Sequence, residues 1–236
     1  MKLQWVPTWQ RVVAMLAAGA AVAAGGTEAA WAQLREPPLD AFTIARLHYH
    51  GGGDWYNDPS IIPNLLRFIR EHTSLRTASD EVRLTLDDER LFSCPFLFAT
   101  GHGRIDFSER EAERLRLYLE NGGFLYVDDD YGMDPYFREA IKKVFPDREL
   151  VELPASHPIY HIVFDFPRGL PKIHEHDGKP ARGYGIFHEG RLVVFYTYET
   201  NISDGWADPD VHGDPPEIRE AALRMGTNIV IYALTQ

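Results

Sequence analysis

Two short runs, Phe96-Leu97-Phe98-Ala99-Thr100 and Phe124-Leu125-Tyr126-Val127, are apolar at nearly every position and stand on either side of one amphipathic segment. A strand with one wet face alternates apolar and polar residues, whereas a continuous run has no wet face. Both runs therefore read as strands covered by helices above and below. The segment between them opens with Ser108-Glu109-Arg110-Glu111, a capping box in which the serine and the glutamate three residues on satisfy each other's backbone donors. It carries Leu115, Leu117, Tyr118 and Leu119 and stops at Asn121-Gly122-Gly123. Strand, helix, strand at this spacing calls for a parallel crossover, and with it an α/β fold.

The same beat extends outwards. Residues 42–49 read as a first strand ending at Gly51-Gly52-Gly53, and residues 61–72 as a helix with Ile61, Leu65, Leu66, Phe68 and Ile69 at helical spacing. Residues 82–86 give a short second strand. Asp134, with Pro135 in the first turn, is expected to cap a helix running to about Phe145. The pattern then turns β-rich: residues 149–153, residues 162–166, and a hairpin joining 185–187 to 192–198 around His188-Glu189-Gly190-Arg191. Residues 217–232 close the chain as a helix, with Ile218, Ala221, Ala222, Leu223, Met225, Ile229 and Val230 available for burial. The whole predicts an open, doubly wound, mostly parallel sheet. Ligands of such sheets bind beyond the carboxyl ends of the parallel strands. That rule gathers three loops: the one at Gly51, the one at Gly101-His102-Gly103, and the one at Asp128-Asp129-Asp130.

The N-terminus has its own logic. Lys2 and Arg11 precede an apolar run over 12–24, which leads to Ala30-Trp31-Ala32. That order is the order of a secretory signal peptide, expected to be cleaved after Ala32. The run falls short of the ~20 residues a membrane span needs, so no stable span is expected after cleavage; an uncleaved anchor is the alternative. No paired arginines mark a twin-arginine signal. The chain thus divides into a signal peptide (1–32), an extended lead-in with Pro37-Pro38 (33–41) and a single domain (42–236), with the mature protein in the periplasm or at the cell surface. Removing Lys2, Arg11 and Glu28 moves the formal charge from -11 to -12. So acidic a chain is a poor partner for nucleic acid or an anionic membrane surface. Cys94 is the one cysteine, which rules out an internal disulfide, and its apolar neighbours favour a buried or strand-edge thiol over a nucleophile.

The stretches His50-Gly51-Gly52-Gly53-Asp54-Trp55-Tyr56, Gly101-His102-Gly103 and Gly122-Gly123-Phe124-Leu125-Tyr126-Val127-Asp128-Asp129 resemble the domain of unknown function family 4159. The likeness covers residues 42–234. That family is similar in fold to the class I glutamine amidotransferases and the ThuA-like proteins, so the resemblance implies an amidotransferase-like, flavodoxin-like sheet and no established activity. In the wider superfamily the strand after the Gly-Gly turn leads into an elbow bearing a nucleophilic cysteine. Here Val127-Asp128-Asp129-Asp130 offers neither that cysteine nor a serine in a Gly-x-Ser-x-Gly frame. The acyl-transfer machinery therefore does not carry over, and glutamine hydrolysis is excluded on that ground.

Three kinds of residue remain as site candidates. Asp128, Asp129 and Asp130, consecutive at a strand end, place at least one carboxylate in the crevice and can raise one another's pKa or attract a hard cation, with Asp128 and Asp129 the leading candidates; they can equally cap the following turn. Among the histidines, His102 lies between glycines where a general acid or base could approach a ligand, although a plain turn histidine fits as well. His48 and His50, an i, i+2 pair, are the metal-ligand candidates beside Asp128 and Asp129. His157/His161 and His174/His176 are weaker pairs. Trp55, Tyr56 and Tyr131 offer aromatic faces suited to sugar rings, whereas Trp206 is expected to seal loops onto the domain. A crevice of His50, Gly52, Asp54, Trp55, Tyr56, His102, Asp128, Asp129 and Tyr131 suits a polar small molecule or envelope carbohydrate, which makes the chain an exported binding or accessory domain. A metal-assisted hydrolase using His102, Asp128 and Asp129 is the second reading, and a protein-interaction scaffold the third. No cofactor is fixed by the sequence beyond room for a divalent metal.

Overall fold

The structure, a computed structural model, describes residues 41–236. The signal-peptide reading of 1–32 and the lead-in up to Asp40 lie outside the described residues. Seven strands follow in chain order: β1 (Ala45–Leu47), β2 (Val82–Leu84), β3 (Phe96–His102), β4 (Phe124–Tyr131), β5 (Val151–Glu152), β6 (Arg182–His188) and β7 (Arg191–Tyr198). They form one sheet in the order β2-β1-β3-β4-β7-β6-β5. From β2 to β7 all neighbours pair in parallel, and β6 and β5 extend the sheet by antiparallel pairing. The order 2-1-3-4 with a switch point between β1 and β3 is that of a flavodoxin-like fold.

The helices are α1 (Ile61–His72), α2 (Glu109–Glu120), α3 (Asp134–Val144), α4 (Pro209–His212) and α5 (Pro216–Thr235). Strand residues point alternately to the two faces, and the two faces have separate cores. Leu97, Ala99, Leu125 and Val127 pack with Leu115, Leu119, Phe137 and Ile141 of α2 and α3. Phe96, Phe98, Phe124 and Tyr126 pack with Leu65, Ile69, Met225 and Ile229 of α1 and α5. Each such apolar side chain contributes about 1.5–3 kcal/mol on burial. Among the described residues no helix is long and apolar enough to cross a membrane. Cys94 is buried, and burial pushes its thiol up to about 11.

The capping box at Ser108 forms with both of its hydrogen bonds, and α1 spans the expected residues. Four expectations need correction. Residues 162–166 are not a strand, because the backbone donors of Val163 and Phe164 go to the Asn228 side chain, at 3.2 and 2.9 Å, rather than to a neighbouring strand. β4 continues through Asp128–Asp130, so the aspartates are strand residues rather than a loop. Asp134 is the first residue of α3 and not its cap; the Met133 backbone N–H at the cap position donates to Asp129 Oδ1 at 2.8 Å. β7 is not just half of a hairpin, since its parallel pairing with β4 brings a fourth loop to the carboxyl edge.

Candidate functional site

Three devices shape that edge. The Arg46 side chain is fully buried; its guanidinium pairs with Glu81 at 2.8 Å and donates to the carbonyls of Trp55 and Asn57 at 3.2 and 3.0 Å. It thereby pins the loop after β1. That loop lies directly on the loop after β3: a Cβ on Gly101, at φ +139°, would stand 2.4 Å from the Tyr49 hydroxyl and 2.9 Å from Asp54. Glycine is needed there to let Asp54 close onto the strand end. The third device is a β-bulge. Gly101 faces Asp129 and His102 faces Tyr131, which leaves Asp130 as the surplus residue of β4. Bulges re-aim side chains, and this one sets Asp130 in the crevice.

The result is a continuous chain of six titratable side chains. The Asp54 carboxylate meets His102 at both its backbone N–H, 2.5 Å, and its Nδ1, 3.1 Å. The same Nδ1 lies 3.3 Å from Asp130 Oδ2. Asp130 is hydrogen-bonded to Asp204, and Asp204 Oδ2 stands 3.0 Å from His174 Nδ1. His174 Nε2 is 2.9 Å from Asp214. Burial, reinforced by the neighbouring Asp204 charge, holds the Asp130 carboxyl well above the usual range, so it carries the shared proton. Against the same desolvation, hydrogen bonds from His174 and Asn201 keep Asp204 ionised. The hydrogen bond to Asp204, opposed by burial and helped by Asp214, raises His174 to about 9. Asn57 and Asn201 flank Asp130 and donate one amide N–H to each of its oxygens. Asp58 and Asn201 both hold left-handed backbones, at φ 46° and 51°, an arrangement that short polar residues tolerate.

The residues singled out from the sequence fall into two groups. His102 and Asp54 meet, as described. Asp128 is fully buried; its oxygens accept from Thr197 Oγ1 (2.5 Å), Ser203 N–H (2.6 Å) and Ser203 Oγ (2.7 Å), and burial pushes it up to about 7. Asp129 points to the other face, towards the start of α3, and burial raises it to about 6. His48 stacks on Trp55, with centroids 4.1 Å apart, while His50 turns to Glu111 at 3.4 Å. Thus His48, His50, Asp128 and Asp129 are not brought together. Gly52 is exposed at φ +96° with open space around its α-carbon, and Tyr56 and Tyr131 are exposed, with Tyr131 bonded to Asp177. Trp206 is buried and donates to the Ala222 carbonyl at 2.8 Å. A hollow of about 550 Å³ lined by His50, Gly51, Asp106, Phe107, Glu111 and Lys143 opens beside the loop after β1.

Asn57, Asp58, Asn201, Asp204, His212 and Asp214 were not singled out, and Asp130 was singled out only as part of the run with Asp128 and Asp129. The loop after β7 supplies Asn201 and Asp204, and its signal, a polar stretch after an apolar strand, becomes readable once that strand is recognised as parallel. Among the described residues, Asp58, Asp204 and His212 offer ligand atoms all within 4.8 Å of one another, close enough for one ion.

A flavodoxin-like α/β domain with an acidic crevice at its switch point is the class that fold and site define. The chain belongs to the domain of unknown function family DUF4159, which it matches over residues 43–234. No curated protein matches it.

Proposed function

We propose that the chain is an exported ligand-binding domain of the cell envelope, whose crevice takes a polar small molecule such as an envelope carbohydrate. The observation that carries this reading is His102, its side chain 54% exposed while held by Asp54 and Asp130. An imidazole so oriented at the switch point presents a fixed polar group to a ligand rather than to the core. Exposed Tyr56 and Tyr131 supply apolar faces near polar groups, as sugar rings require. The charged, apolar and Ala-x-Ala order of residues 1–32 supports export, and N-terminal sequencing of the mature chain should begin at Gln33.

The test is a thermal-shift screen against amino sugars such as N-acetylglucosamine and its oligomers. A ligand at a hundredfold its Kd stabilises by about 2.7 kcal/mol, which raises Tm by several degrees. The rise should vanish in Asp54→Asn and His102→Ala. No rise with any sugar, or a rise that both variants keep, defeats the reading. A metal-assisted hydrolase is the second reading, favoured by the same feature, since an imidazole oriented by carboxylates is the geometry of a general base. Function that survives both variants but is lost on altering the surface elsewhere would instead indicate a scaffold.

A further inference from the structure

Asp58, Asp204 and His212 reach one point from three separate segments: the loop after β1, the loop after β7, and the end of α4. We propose that they bind one divalent first-row transition ion, of the zinc or manganese kind, next to the buried amide of Asn201, which donates to Asp204. At metal–ligand bonds of about 2.0–2.1 Å, neighbouring ligands stand about 3.0–3.4 Å apart and opposite ones about 4.2 Å. Here His212 Nε2 is 3.0 Å from Asp58 Oδ2 and 3.9 Å from Asp204 Oδ1. An ion among them would require side-chain shifts of about an ångström or less.

The surroundings are arranged for the same purpose. The other oxygen of Asp204, Oδ2, is occupied by His174 at 3.0 Å and by the Asn201 amide at 2.9 Å, and His174 is braced in turn by Asp214. A ligating carboxylate is commonly fixed in this way, one oxygen held from behind and the other presented. Arg46 likewise fixes the backbone that carries Asp58.

A second observation points to an occupant. Among the described residues three buried side-chain atoms lack a hydrogen-bond partner, and two of them are the amide oxygens of Asn57 and Asn201. Asn201 is 4% exposed, and the amide that carries the orphan oxygen is the one touching Asp204. A buried acceptor without a donor costs about 1–3 kcal/mol unless something electropositive meets it. Ion pairing between His212 and Asp58 leaves the Asn201 oxygen without a partner, whereas a cation held by Asp204 supplies an electropositive group next to that amide. The imidazole ligand selects a transition ion over magnesium or calcium, which prefer oxygen alone. The inference supplies the ion that the hydrolase reading needs, and it stands without the carbohydrate reading.

The experiment is metal content and calorimetry on the purified chain, stripped with chelator and reloaded with ZnCl₂, MnCl₂ or CaCl₂. The wild-type chain should retain about one zinc or manganese ion, and Asp58→Asn and His212→Ala should each weaken binding at least tenfold. Asparagine tolerates the left-handed backbone at position 58, and His212 lies on an exposed four-residue helix, so both variants should keep their far-UV circular dichroism. The proposal falls if the wild-type chain retains neither ion, if calcium binds as tightly as zinc and manganese, or if the Asp58→Asn/His212→Ala double variant still holds its ion. A chain that binds the ion but ignores sugars would overturn only the carbohydrate reading.

Discussion

His102 and His174 flank the same buried carboxyl pair, each between two carboxylates, yet they live in different media. His102 stands at the open end, with its side chain 54% exposed; His174 stands at the closed end, 26% exposed, with Asp204 and Asp214 on its two ring nitrogens. At the closed end every polar atom of the ring has a partner, and hydrogen bonding raises it to about 9, so it is a standing imidazolium at neutral pH that neutralises Asp204. At the open end Nδ1 alone is engaged by the carboxylates, and the ring is presented to the solvent. The same kind of side chain is thus tied between two carboxylates in the interior at one end and presented to solvent at the other. Burial separates the two roles.

The largest expected effect concerns the buried floor between the two ends. Asp128 titrates at about 7 in the fold against 3.8 in the unfolded chain, so the native state binds the extra proton between those values. Its contribution is therefore present at low pH and is lost as pH rises from about 4 to about 7, on the order of 4 kcal/mol at most. Urea midpoints at pH 5 and pH 8 should show this loss, and Asp128→Asn should reduce it, leaving the share that the raised Asp129 and Asp130 contribute in the same sense; an unchanged slope in that variant would place the titration elsewhere. Next comes His174→Ala, which strips a cation from two buried carboxylates and should cost on the order of 3 kcal/mol by urea unfolding. Asp129→Ala removes the acceptor for the Met133 N–H at the start of α3 and should cost about 1 kcal/mol. Smallest is His102→Ala, within about 0.5 kcal/mol of wild type in the same assay, although it should abolish the sugar response. A cost for His102→Ala equal to that for His174→Ala would break the distinction between the open and closed ends.

The sequence made the centre of the fold legible because its signals are local. The apolar runs of β3 and β4, the capping box of α2 and the helical spacing of α1 each lie within a dozen or so residues. His102 and Asp54 were legible because a general rule about strand ends points to their loops. The closed end was not legible, since it depends on β7 lying parallel to β4, a pairing between Leu125 and Val194 that no local pattern announces. His174, Asn201, Asp204 and Asp214 become neighbours of Asp130 only through that pairing. Arg46 was hidden for a related reason. A single charge in an apolar strand reads as a solvated edge, and its burial makes sense only once Glu81 and the carbonyls after β1 surround it.

Asp130 occupies a position that the ladder between β3 and β4 does not count. A chain lacking that single residue would regain a regular ladder, keep both cores and lose the acid at the centre of its crevice. Fold and crevice are thus written in separate letters at this point, and a one-codon deletion or insertion would remove or add that acid while leaving the rest of the fold in place.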